Sequence, residues 1–370
     1  MKVCFDVQSA ITQRAGVGRY ARVLAENLAA LDDLDLVLFF FDFKRRGELF
    51  PAANARFKRI PWCPGRLANL AWKTVGRPPF NFFSGPADVY HFPNFILPPL
   101  SRGKSVVTIH DMSFMRFPEF AEQRNLKYLS ARISDTANRC DAIITDSRFS
   151  AAEIAEFVHV DPSRIFPIHL GISPGFSPIP PEKSAPLLQE LGIDRPYILT
   201  VGTLEPRKNI PFLVGTFEQL TGFDGLLVIA GMRGWKYEPI LERIKSSSRA
   251  RDIVYLDYVP DSHLAPLYSG AELLALTSFY EGFGFPPLEA MACGTPVISA
   301  ATGSLPEVLG SAAVLVEGFD AETWRGQIDR LLADTQLRET QVARGTEHAA
   351  GFTWLETARQ TVEVYQKVAT

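Results

Sequence analysis

"AELLALTSFYEGFGFPPLEAMACGTPVISA", residues 271–300, reads as strand, loop, helix and strand in succession. The runs AELLALTS (271–278) and GTPVISA (294–300) are short, apolar and bounded by Gly or Pro, which suits buried strands. Between them the Pro286-Pro287 pair fits a first helical turn, where a missing N–H costs nothing, and the spacing predicts a helix from about Pro287. Two short strands joined through a helix make a βαβ unit and therefore a parallel sheet.

The same stretch carries chemistry. Gly282-Phe283-Gly284-Phe285 lets backbone pass close to a ligand, and the helix behind it presents free N–H groups that suit an anion. Glu281 sits in the loop and can hold sugar hydroxyls; Glu289, early in the helix, can accept hydrogen bonds from a vicinal diol such as a ribose. Two acids eight positions apart thus grip two ends of one ligand. Two surface glutamates flanking an ordinary turn would not need the rest of the string.

Outward from this unit the pattern repeats. RPYILTVG (195–202), GLLVIAG (225–231) and DIVYLDYV (252–259) are strand-like, with helices between them. In the first half KVCFDV (2–7), LDLVLFFFD (34–42), ADVYHF (87–92), SVVTIHD (105–111) and DAIITDS (141–147) do the same, alternating with helix candidates over 18–31 and 124–140. A Pro-, Ser- and Gly-rich segment, 170–186, reads as a linker. The expected architecture is α/β: two doubly wound Rossmann-like domains, 1–172 and 173–352, facing a central cleft, then a helix over 353–370 opened by Thr353 and Glu356 as a capping box.

Three further constellations face that expected cleft. In VGTLEPRKNI (201–210) a strand ends at Gly202-Thr203, and Arg207-Lys208 can neutralise a diphosphate, Arg as a fork and Lys as a point charge. In TIHDMSF (108–114) a strand delivers His110, either as a satisfied structural residue with Asp111 fixing its tautomer or as a substrate contact. In QRAGVGRYAR (13–22), Gly16, Gly18 and Ala21 match G-x-G-x-x-A and Asp42 ends the next strand, so an NAD(P) site must be weighed. Val7 to Gly16 is too long for the tight turn of that fingerprint, which favours a glycine loop reaching a phosphate.

Composition sets bounds. With 370 residues, 46% of them apolar, the chain can fill two cores. Its formal charge of -3 is unevenly spread: residues 1–175 hold 22 Lys+Arg against 17 Asp+Glu, residues 176–370 hold 16 against 24. Residues 44–77 carry nine cations and one acid, Glu48, among Phe50, Phe57, Trp62 and Trp72. Cations mixed with aromatics point to contact with an anionic membrane surface or phosphorylated lipid. The charge is local and no recognition module accompanies it, so nucleic acid is not an expected partner. No run reaches a membrane span and the start resembles a strand rather than a signal sequence, so the expected location is cytoplasmic, with peripheral attachment to the inner face of the cytoplasmic membrane. Cys4, Cys63, Cys140 and Cys293 are scattered without metal-ligand spacing and read as reduced thiols with no catalytic part.

Together these motifs resemble the retaining glycosyltransferases of family 4, which have the GT-B fold. The resemblance runs through SFYEGFGFPPLEAMACGTPVIS, GTLEPRKN, DYVPDSHLAPLYSGAELLALTS, GSLPEVLG and the terminal FTWLETA, in order. AGVGRYARVLAENL and HDMSFMRFPE resemble the mannosyltransferases of bacterial O-antigen or exopolysaccharide synthesis. The resemblance implies that the first domain binds acceptor and the second the nucleotide sugar, with GDP-mannose as donor ahead of a UDP-hexose. It implies that Glu289 binds the ribose, that Glu281 and the backbone of Gly282 to Phe285 bind donor-sugar hydroxyls, and that Arg207 and Lys208 bind the diphosphate. Gly16 or Gly18, Gly202 and Thr203 would line that phosphate site; His110 would contact the donor sugar and the backbone around Val259 the base. It further implies a glycan or polyprenyl-diphosphate-linked acceptor and retention without an enzymic nucleophile. The only Asp-x-Asp, Asp33 to Asp35, lies far from these motifs, so no metal and no cofactor beyond the donor is expected. An NAD(P)-dependent oxidoreductase, a sugar-nucleotide epimerase and a non-catalytic binding subunit are the rivals.

Overall fold

The computed structural model describes residues 1–13 and 16–370, the side chains of residues 124 and 125 excepted. The chain forms two compact units. The first comprises Met1–Met115, Gln123–Gly171 and Trp354–Thr370; the second comprises Arg116–Glu122 and Ile172–Thr353.

In the first unit, β1 (Lys2–Asp6), β2 (Asp35–Phe41), β3 (Ala55–Ile60), β4 (Val89–Phe92), β5 (Lys104–Thr108), β6 (Ala142–Thr145) and β7 (Ile165–Pro167) form one sheet in the order β3-β2-β1-β4-β5-β6-β7. All pairings are parallel. Helices cover both faces of such a sheet, which is why β4 and β6 are buried throughout and read as apolar runs. The strand order reverses between β1 and β4, so the carboxyl ends of these strands flank a switch point, where open α/β sheets take ligands. Helix Val17–Ala29 follows β1, and the terminal helix Trp354–Ala369 packs beside it.

The second unit repeats the plan with six strands: β8 (Tyr197–Val201), β9 (Leu226–Ala230), β10 (Ile253–Leu256), β11 (Leu273–Leu276), β12 (Val297–Ala300) and β13 (Val314–Val316), ordered β10-β9-β8-β11-β12-β13. Residues 271–300 fold as β11, helix Phe285–Ala292 and β12, with Leu274 opposite Val297 in parallel register. Trp324, Phe217 and Leu227 anchor the core of this unit; a fully buried Leu or Phe stabilises by about 1.5–3 kcal/mol relative to exposure. Its switch point lies between β8 and β11.

Several local details differ from the expected ones. Residues 124–140 form two helices, Gln123–Ser130 and Ile133–Arg139, because Arg132 leaves helical dihedrals (φ -128°). Arg116–Glu122 groups with the second unit rather than the first. Phe120 stacks on Phe279 at 5.3 Å, Phe117 packs edge-on to Tyr280 at 6.1 Å, and the Trp235 indole N–H donates to the Phe120 carbonyl. The strand 252–259 shortens to Ile253–Leu256, leaving Val259 in the loop before helix Asp261–Ser269.

Candidate active site

At the second switch point the loops after β8 and β11 are bonded to each other. Thr277 Oγ1 donates to the carbonyls of Lys208 and Asn209, both at 3.2 Å, and the Phe279 N–H to the Arg207 carbonyl at 2.8 Å. Asn209 adopts a left-handed conformation (φ 52°), which Asn tolerates better than most residues. This turn aims Arg207 and Lys208 at Glu281. Lys208 Nζ donates to Glu281 Oε1 at 2.6 Å, Arg207 Nη1 to Oε2 at 2.9 Å, and Ser278 Oγ to Oε1 at 2.6 Å. Arg207 also donates to the Tyr280 carbonyl at 2.7 Å and pairs with Glu205 at 2.5 Å.

Two cations and two carboxylates therefore balance in a largely buried cluster. Burial alone would push the Glu281 carboxyl up, but Lys208 and Arg207 outweigh it and hold the group at about 2. Gly202 lies against the Lys208 stem: a Cβ there would sit 3.2 Å from Cε. The Glu281 loop is propped from behind by the segment after β12. Ser304 Oγ donates to the carbonyls of Glu281 and Phe283 at 2.9 and 3.0 Å, and Gly303 (φ 59°) lies so close that a Cβ would stand 2.6 Å from the Glu281 carbonyl oxygen. Glu289, 2% exposed, accepts from the Tyr268 hydroxyl at 3.0 Å. Gly282, Phe283, Gly284 and Phe285 lead into its helix, with Gly284 (φ 110°) at the N-cap. Thr203 packs beside Gly234.

At the first switch point His110 follows β5, and its partner is Asp146 at the end of β6, not Asp111. Nδ1 lies 2.9 Å from Asp146 Oδ2 and Nε2 lies 3.2 Å from the Pro93 carbonyl oxygen, while Asp111 caps the Ser113 N–H. Both ring nitrogens face acceptors, which the doubly protonated ring satisfies. Burial opposes that charge, but the Asp146 carboxylate, its hydrogen bond and the Pro93 carbonyl prevail and raise the pKa. Tyr20 packs edge-on against His110 at 4.7 Å, and its hydroxyl lies 3.0 Å from Thr108 Oγ1. Thr108 in turn meets His91 Nε2 at 2.8 Å, and His91 Nδ1 lies 2.6 Å from the Tyr365 hydroxyl on the terminal helix. Burial, then the nearby His110 charge, depress His91 to about 3.

The dinucleotide fingerprint does not form. Helix Gln8–Thr12 intervenes between β1 and Gly16, and Arg14 and Ala15 lie outside the described residues. Asp42 is taken up by the backbone N–H groups of Arg46 and Gly47 and by Arg59. Of the two glycines, Gly18 serves packing: a Cβ there would lie 2.2 Å from the Gln13 carbonyl oxygen. Gly16 (φ 56°) faces open space at the N-cap of Val17–Ala29. Burial pushes the Cys4 and Cys293 thiols up to about 12 and Cys140 to about 11, leaving all three unreactive. Among the described residues no three His, Cys, Asp or Glu side chains converge as metal ligands do.

Glu205 and Asp146 are the two site residues that motif reading missed. Both were present in quoted stretches, GTLEPRKN and DAIITDS, at strand ends where a lone acid is a signal.

Comparison with known proteins identifies the family. Residues 187–348 match the model for glycosyl transferases group 1, and residues 14–176 match the model for Glycosyltransferase Family 4. O-antigen chain mannosyltransferase B of Escherichia coli is 35% identical over 282 residues, 75% of this chain and 74% of that protein. The chain belongs to glycosyltransferase family 4. The glycosyltransferase is also 26% identical to the E. coli serotype-specific mannosyltransferase WbdA over 78% of its own length, but spans only 36% of that longer relative. Sucrose-phosphate synthase from Thermosynechococcus elongatus superposes with a TM-score of 0.77 at 21% identity, covering 99% of this chain and 98% of that one. The chain has the GT-B fold, and glycosyltransferases of this fold use nucleotide-sugar donors.

Proposed function

We propose that this glycosyltransferase moves mannose from GDP-mannose, with retention of configuration and without a metal, onto a glycan carried on polyprenyl diphosphate. The product belongs to O-antigen or exopolysaccharide synthesis at the inner face of the cytoplasmic membrane, and residues 44–77 meet that membrane. The observation that carries the chemistry is the Glu281–Lys208–Arg207 cluster at the β8/β11 switch point. The mannosyltransferase relatives support the sugar.

When the bond between the anomeric carbon and the phosphate oxygen breaks, negative charge grows on the nucleoside diphosphate. Lys208 gives one N–H to Glu281 and has two more to turn on that charge. A diphosphate reaching Lys208 weakens its hold on Glu281, whose carboxylate then takes donor-sugar hydroxyls. Arg207, tied to the Tyr280 carbonyl and Glu205, holds the loop while this exchange occurs. Glu289 and Tyr268 take the ribose diol, Gly16, Gly202 and Thr203 give backbone room to the phosphates, and the backbone at Val259 meets the base. The acceptor hydroxyl attacks the face the phosphate leaves, and a phosphate oxygen takes its proton. His110, its two N–H groups held by Asp146 and the Pro93 carbonyl, contacts the sugar as a cation instead of acting as a base.

The test is transfer by the purified chain in EDTA, with GDP-mannose, UDP-glucose and UDP-galactose offered against a synthetic polyprenyl-diphosphate glycan. NMR of the product reads the anomeric configuration. α-Mannoside from GDP-mannose alone is the expected result; turnover of UDP-sugars only, a β-linked product, or activity that needs added Mg²⁺ would overturn the corresponding part.

A further inference from the structure

The contact surface assigned to residues 44–77 has a composition that the sequence hid. The aromatics that suggested it mostly face inward: Phe50 is buried, and Trp72 packs on Phe41, Phe80 and Phe83. Other apolar groups point out instead. Of the eleven large apolar side chains exposed among the described residues, seven fall within residues 43–82, each 56% exposed or more. Several lie around the carboxyl ends of β2 and the edge strand β3. Phe43 follows β2, Trp62 follows β3, and the rings of Trp62 and Phe82 are 6.2 Å apart.

Helix Gly65–Thr74 lies over the same corner, with Gly65 against the Phe41 ring and Ala68 buried. Its outward face pairs Leu67 and Leu70 with Arg66 and Lys73, one helical stripe of each kind. The cations nearby are mostly uncommitted: among the described residues Lys44, Arg45, Arg46, Lys58, Arg66 and Arg77 make no ion pair. Arg56 and Arg59 do, with Asp35 and Asp42.

Resting on the membrane contact proposed above, we infer that the first unit inserts Trp62, Leu67, Leu70 and Phe82 among the acyl chains of an anionic bilayer while the surrounding cations hold its headgroups. Charge complementarity selects this occupant. A second copy of the chain docked through the same face would set like charges against each other. Exposed leucines have no base to stack on, which disfavours nucleic acid. Burying apolar side chains below a ring of lysine and arginine is what an interfacial helix does. No helix among the described residues is long and apolar enough to span, so attachment is from one side.

The experiment sediments the full chain with vesicles of pure phosphatidylcholine or of phosphatidylcholine with 30% phosphatidylglycerol, at low and high NaCl. Wild type should bind the anionic vesicles, and a substantial fraction should stay bound in high salt, since apolar insertion is not screened. The Leu67→Glu/Leu70→Glu protein should lose at least tenfold in partitioning and all of the salt-resistant fraction. Lys44→Ala/Arg45→Ala/Arg46→Ala/Arg66→Ala should lose the preference for phosphatidylglycerol. Both variants should melt like wild type and keep GDP-mannose binding, which separates docking from folding and from the donor reading. If the leucine variant binds as wild type does while the charge variant does not, insertion is wrong and surface contact stands. Wild type left in the supernatant with both vesicles would overturn both.

Discussion

The two switch points have the same strand order and opposite chemistry. At the first, Tyr20, Thr108, His91 and Tyr365 form a chain of short hydrogen bonds, and the His110–Asp146 ion pair packs against its Tyr20 end. At the second, Glu205, Arg207, Lys208 and Glu281 form a balanced knot of four charges whose partners can be exchanged. On the proposed function, the first stays as it is and the second is rearranged by an anion. Identical topology thus fixes where a ligand goes and leaves its handling to a few loop residues.

The contrast is sharpest in a Lys208→Ala variant. It should lower kcat about 10²- to 10³-fold, as loss of one donor to a developing oxyanion does, and lower the melting temperature as well, because the buried Glu281 carboxylate loses its closest cation. Arg207→Ala should lower kcat less and the melting temperature more, because Glu281, Glu205 and the Tyr280 carbonyl lose their common partner. Equal effects from the two would erase the distinction between contact and support.

The glycines of the first loop offer a second comparison. Gly18→Ala collides with the Gln13 carbonyl and should cost about 1–3 kcal/mol in denaturant unfolding. Gly16→Ala meets no atom but is held at positive φ, so it should cost about 1 kcal/mol and reduce donor affinity more than Gly18→Ala does relative to its effect on stability.

Acid separates the two sites next. His91 drops from 6.5 in the unfolded chain to about 3 in the folded one, so the unfolded state binds the proton first. Its contribution is complete above about pH 6.5 and declines by about 1.4 kcal/mol per pH unit toward pH 3. Asp6, lifted by burial to about 6, works in the opposite sense between 3.8 and 6. The quantity to measure is therefore the difference in unfolding free energy between wild type and His91→Gln from pH 7 to 5, which should shrink as the pH falls. Glu281, depressed to about 2, adds its own loss only below about 4.5.

Asp146→Asn should have the smallest effect on rate, about tenfold. The alkaline limb of the pH–kcat profile should move to lower pH, because the carboxylate that raises the His110 pKa is gone. A uniform loss with an unmoved profile would make Asp146 merely structural.

Most of the sheet was legible because its central strands are buried on both faces and so read as unbroken apolar runs, as in LVLFF of β2. The missed strands are edges. β3 reads ARFKRI with five of six positions open to solvent at least in part and lies inside the basic stretch, while β7 and β13 have three residues each. The Glu281, Arg207 and Lys208 constellation was visible because strand-end loops concentrate it in short motifs. His110 was visible but its partner was not, since Asp146 stands 36 positions away and meets it only through the pairing of β5 with β6. The outward leucines were invisible for a simpler reason: composition does not say which side of a short helix faces the core.

The helix Trp354–Ala369 belongs to the unit that begins the chain, with Tyr365 sealing His91 from beyond the second unit in sequence. A ribosome making this protein releases the partner of His91 only after the whole second unit has emerged. The first unit, although translated first, cannot close its core until the second has emerged, so the usual order of domain-wise folding during translation is reversed here. Removal of residues 354–370 should therefore damage the first unit before it touches the second.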